Sequence, residues 1–338
     1  MKREERIVGS LVCGAVGDAL GYAVEFHDLS QIINEYGKDG IRSYAAKEGE
    51  VHFSDDTQMT LFTLDAILRA KKANMLNKKE LLRFFYESYL DWLYTQKGSA
   101  VPIADGSELL AYPQLLARRA PGNTCLSALY SGVMGTVQTP INNSKGCGGV
   151  MRVAPIALAL SGRRGFTSAT IAQLAADAAA ITHGHPSGYI SAAAFAYIVS
   201  LVMEGKDLRC AVLESAKEIS EIYKNRSQVK DVCSLLLRAV ELADSEVEPY
   251  AAIDTLGEGW VGEEALAIAV YSVLKHPDDA RAALITAVNH SGDSDSTGAI
   301  AGNIIGAYLG ESAVGGDFTD RLELHSLIVD MAKRAAHL

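Results

Sequence analysis

Apolar residues recur at helical spacing along most of the chain. The pattern predicts helices over Thr57–Arg69, Lys79–Thr95, Ile171–Ile181, Ser191–Met203, Leu208–Lys224, Val229–Ala243, Glu263–Leu274, Ala280–Val288 and Leu322–Ala336. Alternating strand patterns are scarce, and the prolines fall at the boundaries of the periodic segments. No Pro/Ser linker, charge block or repeat of fixed period divides the chain. The expectation is a protein that is helical almost throughout.

Two segments carry glycines on one helical face: Gly14, Gly17 and Gly21, and Gly298, Gly302, Gly306 and Gly310. Glycine weakens a helix, so such a stripe predicts that something approaches that face closely. Tight helix–helix packing is the plain reading. Each stripe also adjoins an acidic motif. One is Phe53-Ser-Asp-Asp-Thr-Gln58, the other Ser291-Gly-Asp-Ser-Asp-Ser-Thr-Gly298. Ser and Asp are preferred helix N-caps, and acids suit the positive end of a helix. One capping residue per helix is enough, however, and here carboxylates occur in pairs beside hydroxyls. That set suits magnesium or manganese, which take hard oxygen ligands. The second loop lacks the ligand pattern of an EF-hand. A third acidic element runs from Gly17-Asp18 to Glu25; Asp18 reads equally as a buried hydrogen-bonding residue, Glu25 as a general base near the metal.

Composition narrows the partners. Of the 338 residues 49% are apolar and 21% charged, and the net charge is −10 with no sustained basic run. General nucleic-acid binding is therefore not expected, whereas a small anionic ligand held by backbone amides remains compatible. The five cysteines are scattered and form no CxxC pair, which predicts reduced thiols in a cytoplasmic protein. Ile7–Ala15 behind a charged start has the outline of a leader, but Asp18 interrupts it and acids sit among the basic residues. No apolar stretch reads as a membrane span.

Taken together, these motifs resemble the ADP-ribosylglycohydrolase family. The resemblance runs through Gly14-Ala-Val-Gly-Asp-Ala-Leu-Gly21 with Glu25, Ser54-Asp-Asp-Thr57, Asp105-Gly-Ser107 and Pro121-Gly-Asn-Thr-Cys125. It continues in Gly146-Cys-Gly-Gly-Val-Met-Arg152, Thr182-His-Gly-His185, Gly259-Trp-Val-Gly-Glu-Glu264 and Gly292-Asp-Ser-Asp-Ser-Thr-Gly298. It implies a compact, orthogonal all-α multi-helix bundle forming a single domain over residues 1–338. It further implies two divalent metal ions, Mg2+ or Mn2+, and hydrolysis of a glycosidic bond to ADP-ribose, commonly on arginine.

Carried over by motif, Ser54, Asp55, Asp56, Asp293, Asp295 and Ser296 are the implied metal ligands, with Ser54 and Ser296 where the family usually has Thr. Glu25 is the first candidate for acid–base catalysis and Asp56 the second. Asp105, Gly106, Ser107, Gly148, Gly149, Val150, Met151 and His183 are the implied substrate contacts, the glycine loop facing a diphosphate. Arg152 reads as a structural ion pair, Cys147 as a small loop residue rather than a nucleophile, and Trp260 as a pocket or a core aromatic. His290-Ser291 replaces a common Gly-Gly, which implies an altered pocket wall. Two alternatives stay open: a metal-dependent hydrolase of another ADP-ribose metabolite or of a phosphoester, and an inactive crystallin-like relative.

Overall fold

The computed structural model describes residues 1–97 and 106–338. Its described residues form an all-α protein whose helices run in the order α1 (Arg3–Gly21), α2 (Leu29–Tyr36), α3 (Asp55–Lys72), α4 (Lys78–Lys97), α5 (Asn123–Tyr130), α6 (Ala154–Leu160), α7 (Ser168–Ala180) and α8 (Pro186–Met203). There follow α9 (Leu208–Ile222), α10 (Val229–Ala243), α11 (Pro249–Asp254), α12 (Gly262–Lys275), α13 (Ala280–Val288), α14 (Ser294–Leu309), α15 (Gly316–Thr319) and α16 (His325–Ala336). The only β-type pairings among the described residues are two isolated bridges, Val51 with Leu322 and Gly146 with Val261.

Periodicity places α10 and α13 residue for residue. Other ends differ because caps and turns, not apolar spacing, decide them. Helix α3 begins at Asp55, two residues before its apolar period, because the Ser54 hydroxyl accepts the Asp56 N–H. Helix α8 starts early, at Pro186, behind a cap in which His185 Nδ1 accepts the Ser187 N–H. Helix α16 starts late, at His325, because Leu324 is left-handed, with φ +53°. The short helices α2, α5, α11 and α15 offer too few turns for a period to show. One expectation needs correction: α8 is long and apolar enough to cross a membrane. It is buried instead among neighbouring helices, as its all-round apolar surface requires in a protein core.

The glycine stripes explain the central contact. Helices α1 and α14 pack antiparallel, with Gly9 against Gly306, Cys13 against Gly302, Gly17 against Gly298 and Gly21 against Ser294. A Cβ on Gly17 would lie 2.1 Å from the Gly298 carbonyl oxygen, and one on Gly302 would lie 2.1 Å from that of Cys13. The backbones touch, so no side chain fits between them. Ser10 Oγ donates to the Asn303 carbonyl and Asn303 Nδ2 to the Ser10 carbonyl, both at 2.8 Å, which fixes the register of the pair. Gly310, counted in the sequence stripe, ends α14 at φ +87° instead.

Candidate metal centre and active site

The register of α1 on α14 builds half of the site. Because Gly21 lies on Ser294, the chain leaving α1 passes the start of α14. Glu25, Asp293 and Asp295 thereby each place one carboxylate oxygen within 4.8 Å of the other two. Asp18 brings in the other half. Its Oδ1 accepts the Ser54 N–H at 2.8 Å, and its Oδ2 accepts the Thr57 N–H at 2.8 Å and the Thr57 hydroxyl at 2.5 Å. Asp18 is thus a buried clamp that holds the first turn of α3 against α1. Asp55 and Asp56 lie in that turn and are buried. The motifs meet where Ser296 Oγ donates to Asp56 Oδ2 at 2.7 Å.

Further contacts fix these acids from behind. The Arg119 carbonyl accepts the Asp55 N–H at 3.1 Å, and the Gly122 N–H donates to Asp55 Oδ2 at 3.3 Å. The Arg119 guanidinium pairs with buried Glu323 and donates to the Phe53 carbonyl. The Asp293 N–H donates to the Glu258 carbonyl at 2.8 Å, and a Cβ on Gly292 (φ +138°) would lie 1.9 Å from that carbonyl oxygen. Glu264 holds the same turn by accepting the N–H groups of Glu258 and Gly259, which accounts for the acid in the Gly259–Glu264 motif.

These carboxylates face a cavity of about 620 Å³. Gly146, Cys147, Gly148, Met151, His183, Arg118 and the 120–125 segment join them around it. Phe26 and Trp260 stand at its mouth, 72% and 40% exposed, stacked with centroids 6.0 Å apart and planes inclined by 21°. Trp260 is therefore a pocket aromatic.

Burial, then the charge of Asp295, pushes Asp55, Asp56 and Asp293 well above the usual carboxylate range. The same two causes push Glu25 up to about 10, with Asp293 and Asp55 adding to them. They also raise Asp18 to about 7, against its hydrogen bonds from Thr57 and Ser54. A buried group of carboxylates cannot carry its full charge without a cation. Glu25 Oε2 is moreover buried with no hydrogen-bond partner among the described residues. The donors are oxygens of the kind Mg2+ and Mn2+ prefer, so the residues present fit a hard divalent ion.

The other sequence expectations divide. Gly148, Met151 and His183 line the cavity. Gly149 lies beneath the loop against the His183 ring, and Val150 packs against Gly262 away from the opening. Gly106 and Ser107 belong elsewhere: Gly106 borders a separate cleft with Asp65 and Arg69. The Ser107 N–H donates to Asp91, and its hydroxyl caps the 3-10 turn Glu108–Ala111. Local capping chemistry, not ligand contact, accounts for that serine. Asp105 lies outside the described residues. Arg152 makes no ion pair among the described residues; it donates to Thr182, to the Ala178 carbonyl and to sulfur. Cys147 does have an acidic neighbour, for its Sγ lies 2.6 Å from Asp293 Oδ2. Burial and Asp293 push its thiol well up, and the thiol donates to that carboxylate. His290 does not form the pocket wall. It is buried and bonded through Nε2 to Thr297 Oγ1, while Ser291 Oγ accepts the Leu29 N–H. His185 caps α8, whereas His183 lines the cavity.

Residues 1–338 match the ADP-ribosylglycohydrolase family. The chain belongs to that family. Its curated relatives include ADP-ribosyl-[dinitrogen reductase] glycohydrolase of Rhodospirillum rubrum, 26% identical over 95% of this chain and 91% of the relative. ADP-ribosylhydrolase ARH3 of Mus musculus is 24% identical over 91% and 85%. A solved ADP-ribosylglycohydrolase-related protein complex has a chain that superposes with a TM-score of 0.66 at 20% identity, covering 99% of this chain and 98% of its own. That likeness carries the fold. The ADP-ribosylglycohydrolase motifs reach this cavity through Glu25, Asp55 and Asp56, residues 121–125, Gly146, Cys147, Gly148 and Met151, His183, Trp260, and Asp293, Asp295 and Ser296. The Pro121–Cys125 turn was visible in the sequence, but nothing in its composition signalled that Gly122 would bond Asp55.

Proposed function

We propose that the protein is a metal-dependent ADP-ribosyl hydrolase that cleaves the bond between ADP-ribose and the arginine side chain of a modified protein. The observation that supports this reading best is the convergence of Glu25, Asp55, Asp56, Asp293 and Asp295 on one cavity of ligand size. Asp55, Asp56, Asp293 and Asp295 would hold two divalent ions, joined by the hydroxyls of Ser296 and of Ser54, whose oxygen keeps a second lone pair beside its Asp56 N–H bond. Ions bound there supply the positive charge that orients vicinal ribose hydroxyls and an attacking water.

The chain's own groups do the rest. As the bond to the anomeric carbon lengthens, positive charge spreads over the ribose ring, and the surrounding carboxylates stabilise it. Glu25, with its raised proton affinity and unpartnered oxygen, is suited to protonate the departing nitrogen or to take a proton from water. Asp56, already bonded to Ser296, is the second candidate. Gly148, Met151 and His183 are placed to contact the diphosphate. An acidic cavity behind a stacked Phe26–Trp260 pair favours a flat cation such as guanidinium as the acceptor.

The test is incubation with an ADP-ribosylated arginine peptide and a parallel ADP-ribosylserine peptide, with Mg2+ or Mn2+. Release of ADP-ribose from the arginine peptide, abolished by chelation and restored by metal, is expected. Intact peptides alongside phosphate release from a phosphoester would sink the proposal.

A further inference from the structure

Arg152 is fully buried in a protein that gives it no carboxylate partner among the described residues. Its Nη2 donates to Thr182 Oγ1 at 2.7 Å and to the Ala178 carbonyl at 3.1 Å. Its Nη1 points at Cys125 Sγ and Met59 Sδ, and the guanidinium lies 4.4 Å from the Tyr89 ring centre. A guanidinium only donates, so the Thr182 oxygen must accept. That leaves the single Thr182 hydroxyl proton to place. His183 Nδ1 lies 2.8 Å from the hydroxyl oxygen, a good length, whereas the Ala179 carbonyl lies at 3.5 Å, at the edge of bonding range. Neighbouring Cys125 offers only a weak sulfur acceptor. The proton therefore goes to Nδ1, and the imidazole's own proton must sit on Nε2.

We infer that Arg152 and Thr182 are positioning residues that lock His183 in its neutral Nε2–H form, making it an obligate hydrogen-bond donor to an anionic oxygen held over the glycine loop. Nε2 is the ring nitrogen that faces the loop. A Cβ on Gly146 or on Gly148 would come 3.4 Å from it, and one on Gly149 would come 3.3 Å from Cγ. The loop glycines thus leave room for the ring as well as for a ligand. Burial, with Arg152 beside it, also holds His183 down to about 3, so the ring stays neutral across physiological pH. A phosphate oxygen, which only accepts, is the matching ligand atom. That last identification rests on the ADP-ribose reading, while the tautomer does not.

Long-range 15N–1H spectra of the unliganded protein test it, with the His183 signals assigned by their loss in His183→Gln. The expected wild-type signature is a neutral ring with a protonated Nε2. Thr182→Ser should keep it; Thr182→Val should lose it and weaken ADP-ribose binding roughly threefold to tenfold, the effect of one hydrogen bond. A wild-type Nδ1–H ring, a charged ring at neutral pH, or a Thr182→Val protein with unchanged tautomer and affinity would overturn the inference. If wild type shows Nε2–H but fails to bind ADP-ribose at all, the lock stands and the proposed substrate falls.

Discussion

The two acidic helix starts look alike in sequence and are built differently. At α3 the cap is Ser54, and Asp18 adds three hydrogen bonds from another helix. The backbone is satisfied by groups other than Asp55 and Asp56, which are left to face the cavity. At α14 the N-cap position is Asp293 itself, and its side chain makes no cap bond. That start is held instead from the main chain, through Glu258 and the tightly turned Gly292. The difference separates two reasons for placing acids before a helix. Capping explains the serine at α3 and one oxygen of Asp295, whose Oδ1 accepts the Ser296 N–H at 2.8 Å, but it does not explain Asp55, Asp56 or Asp293. Asp55, Asp56 and Asp293 are left facing the cavity, and burial beside Asp295 raises the proton affinity of all three.

That contrast is broken most sharply at α14. Asp293→Asn should lower kcat by roughly a thousandfold or more, as expected when a group contacting a catalytic ion is lost. It should at the same time stabilise the metal-free protein at neutral and higher pH. The sign follows from linkage. A carboxyl whose proton affinity is raised by folding binds more protons folded than unfolded, so stability falls as pH rises from the unfolded value toward the folded one. Asparagine has no charge to lose and escapes that penalty. Chemical denaturation of both chelated proteins at pH 5 and pH 8 reads the effect. A variant less stable than wild type at pH 8 would show that Asp293 serves the fold.

The opposite behaviour is expected at Asp18. Its two oxygens accept from donors on both sides, so Asp18→Asn must turn an NH2 group toward a backbone N–H in either orientation. One buried donor pair is then unsatisfied, at a cost of about 2–3 kcal/mol. The midpoint of denaturation should drop with its slope unchanged. An unmoved midpoint would mean that α3 is anchored without the clamp.

Much of this was legible in the chain. The spacing of Gly14, Gly17 and Gly21 against Gly298, Gly302 and Gly306 marks a close contact, because only a touching neighbour justifies so many helix-weakening residues. The paired aspartates signal a cation because they exceed what caps need. What stayed hidden depends on distant partners. Cys147 meets Asp293, 146 residues away, and no local pattern announces it. Arg152 invites an ion pair by its charge, yet the fold surrounds it with a hydroxyl, a carbonyl, sulfur and an aromatic ring. Ser107 belongs by its motif to the implied substrate set, whereas its hydroxyl caps a 3-10 turn and its N–H donates to Asp91. Residues whose chemistry is local, such as Ser54, could be read; those whose role is set by what packs on them could not.

Ser54 also offers the finest test of the comparison, because it belongs to both readings. Its oxygen accepts the Asp56 N–H, and its remaining lone pair is available to an ion. Ser54→Ala should cost the chelated protein about 1 kcal/mol, the ordinary effect of losing a serine cap. If the hydroxyl also ligates, Mn2+ affinity measured by titration calorimetry should fall roughly tenfold further than the stability change accounts for. Ser296→Ala removes no cap but does remove the buried hydrogen bond to Asp56, so it should cost the chelated protein about 1 kcal/mol and weaken Mn2+ binding further than that loss accounts for. Equal Mn2+ affinity in Ser54→Ala and wild type would leave Ser54 a cap alone, and the two helix starts would then differ in their ligands as well as in their scaffolding.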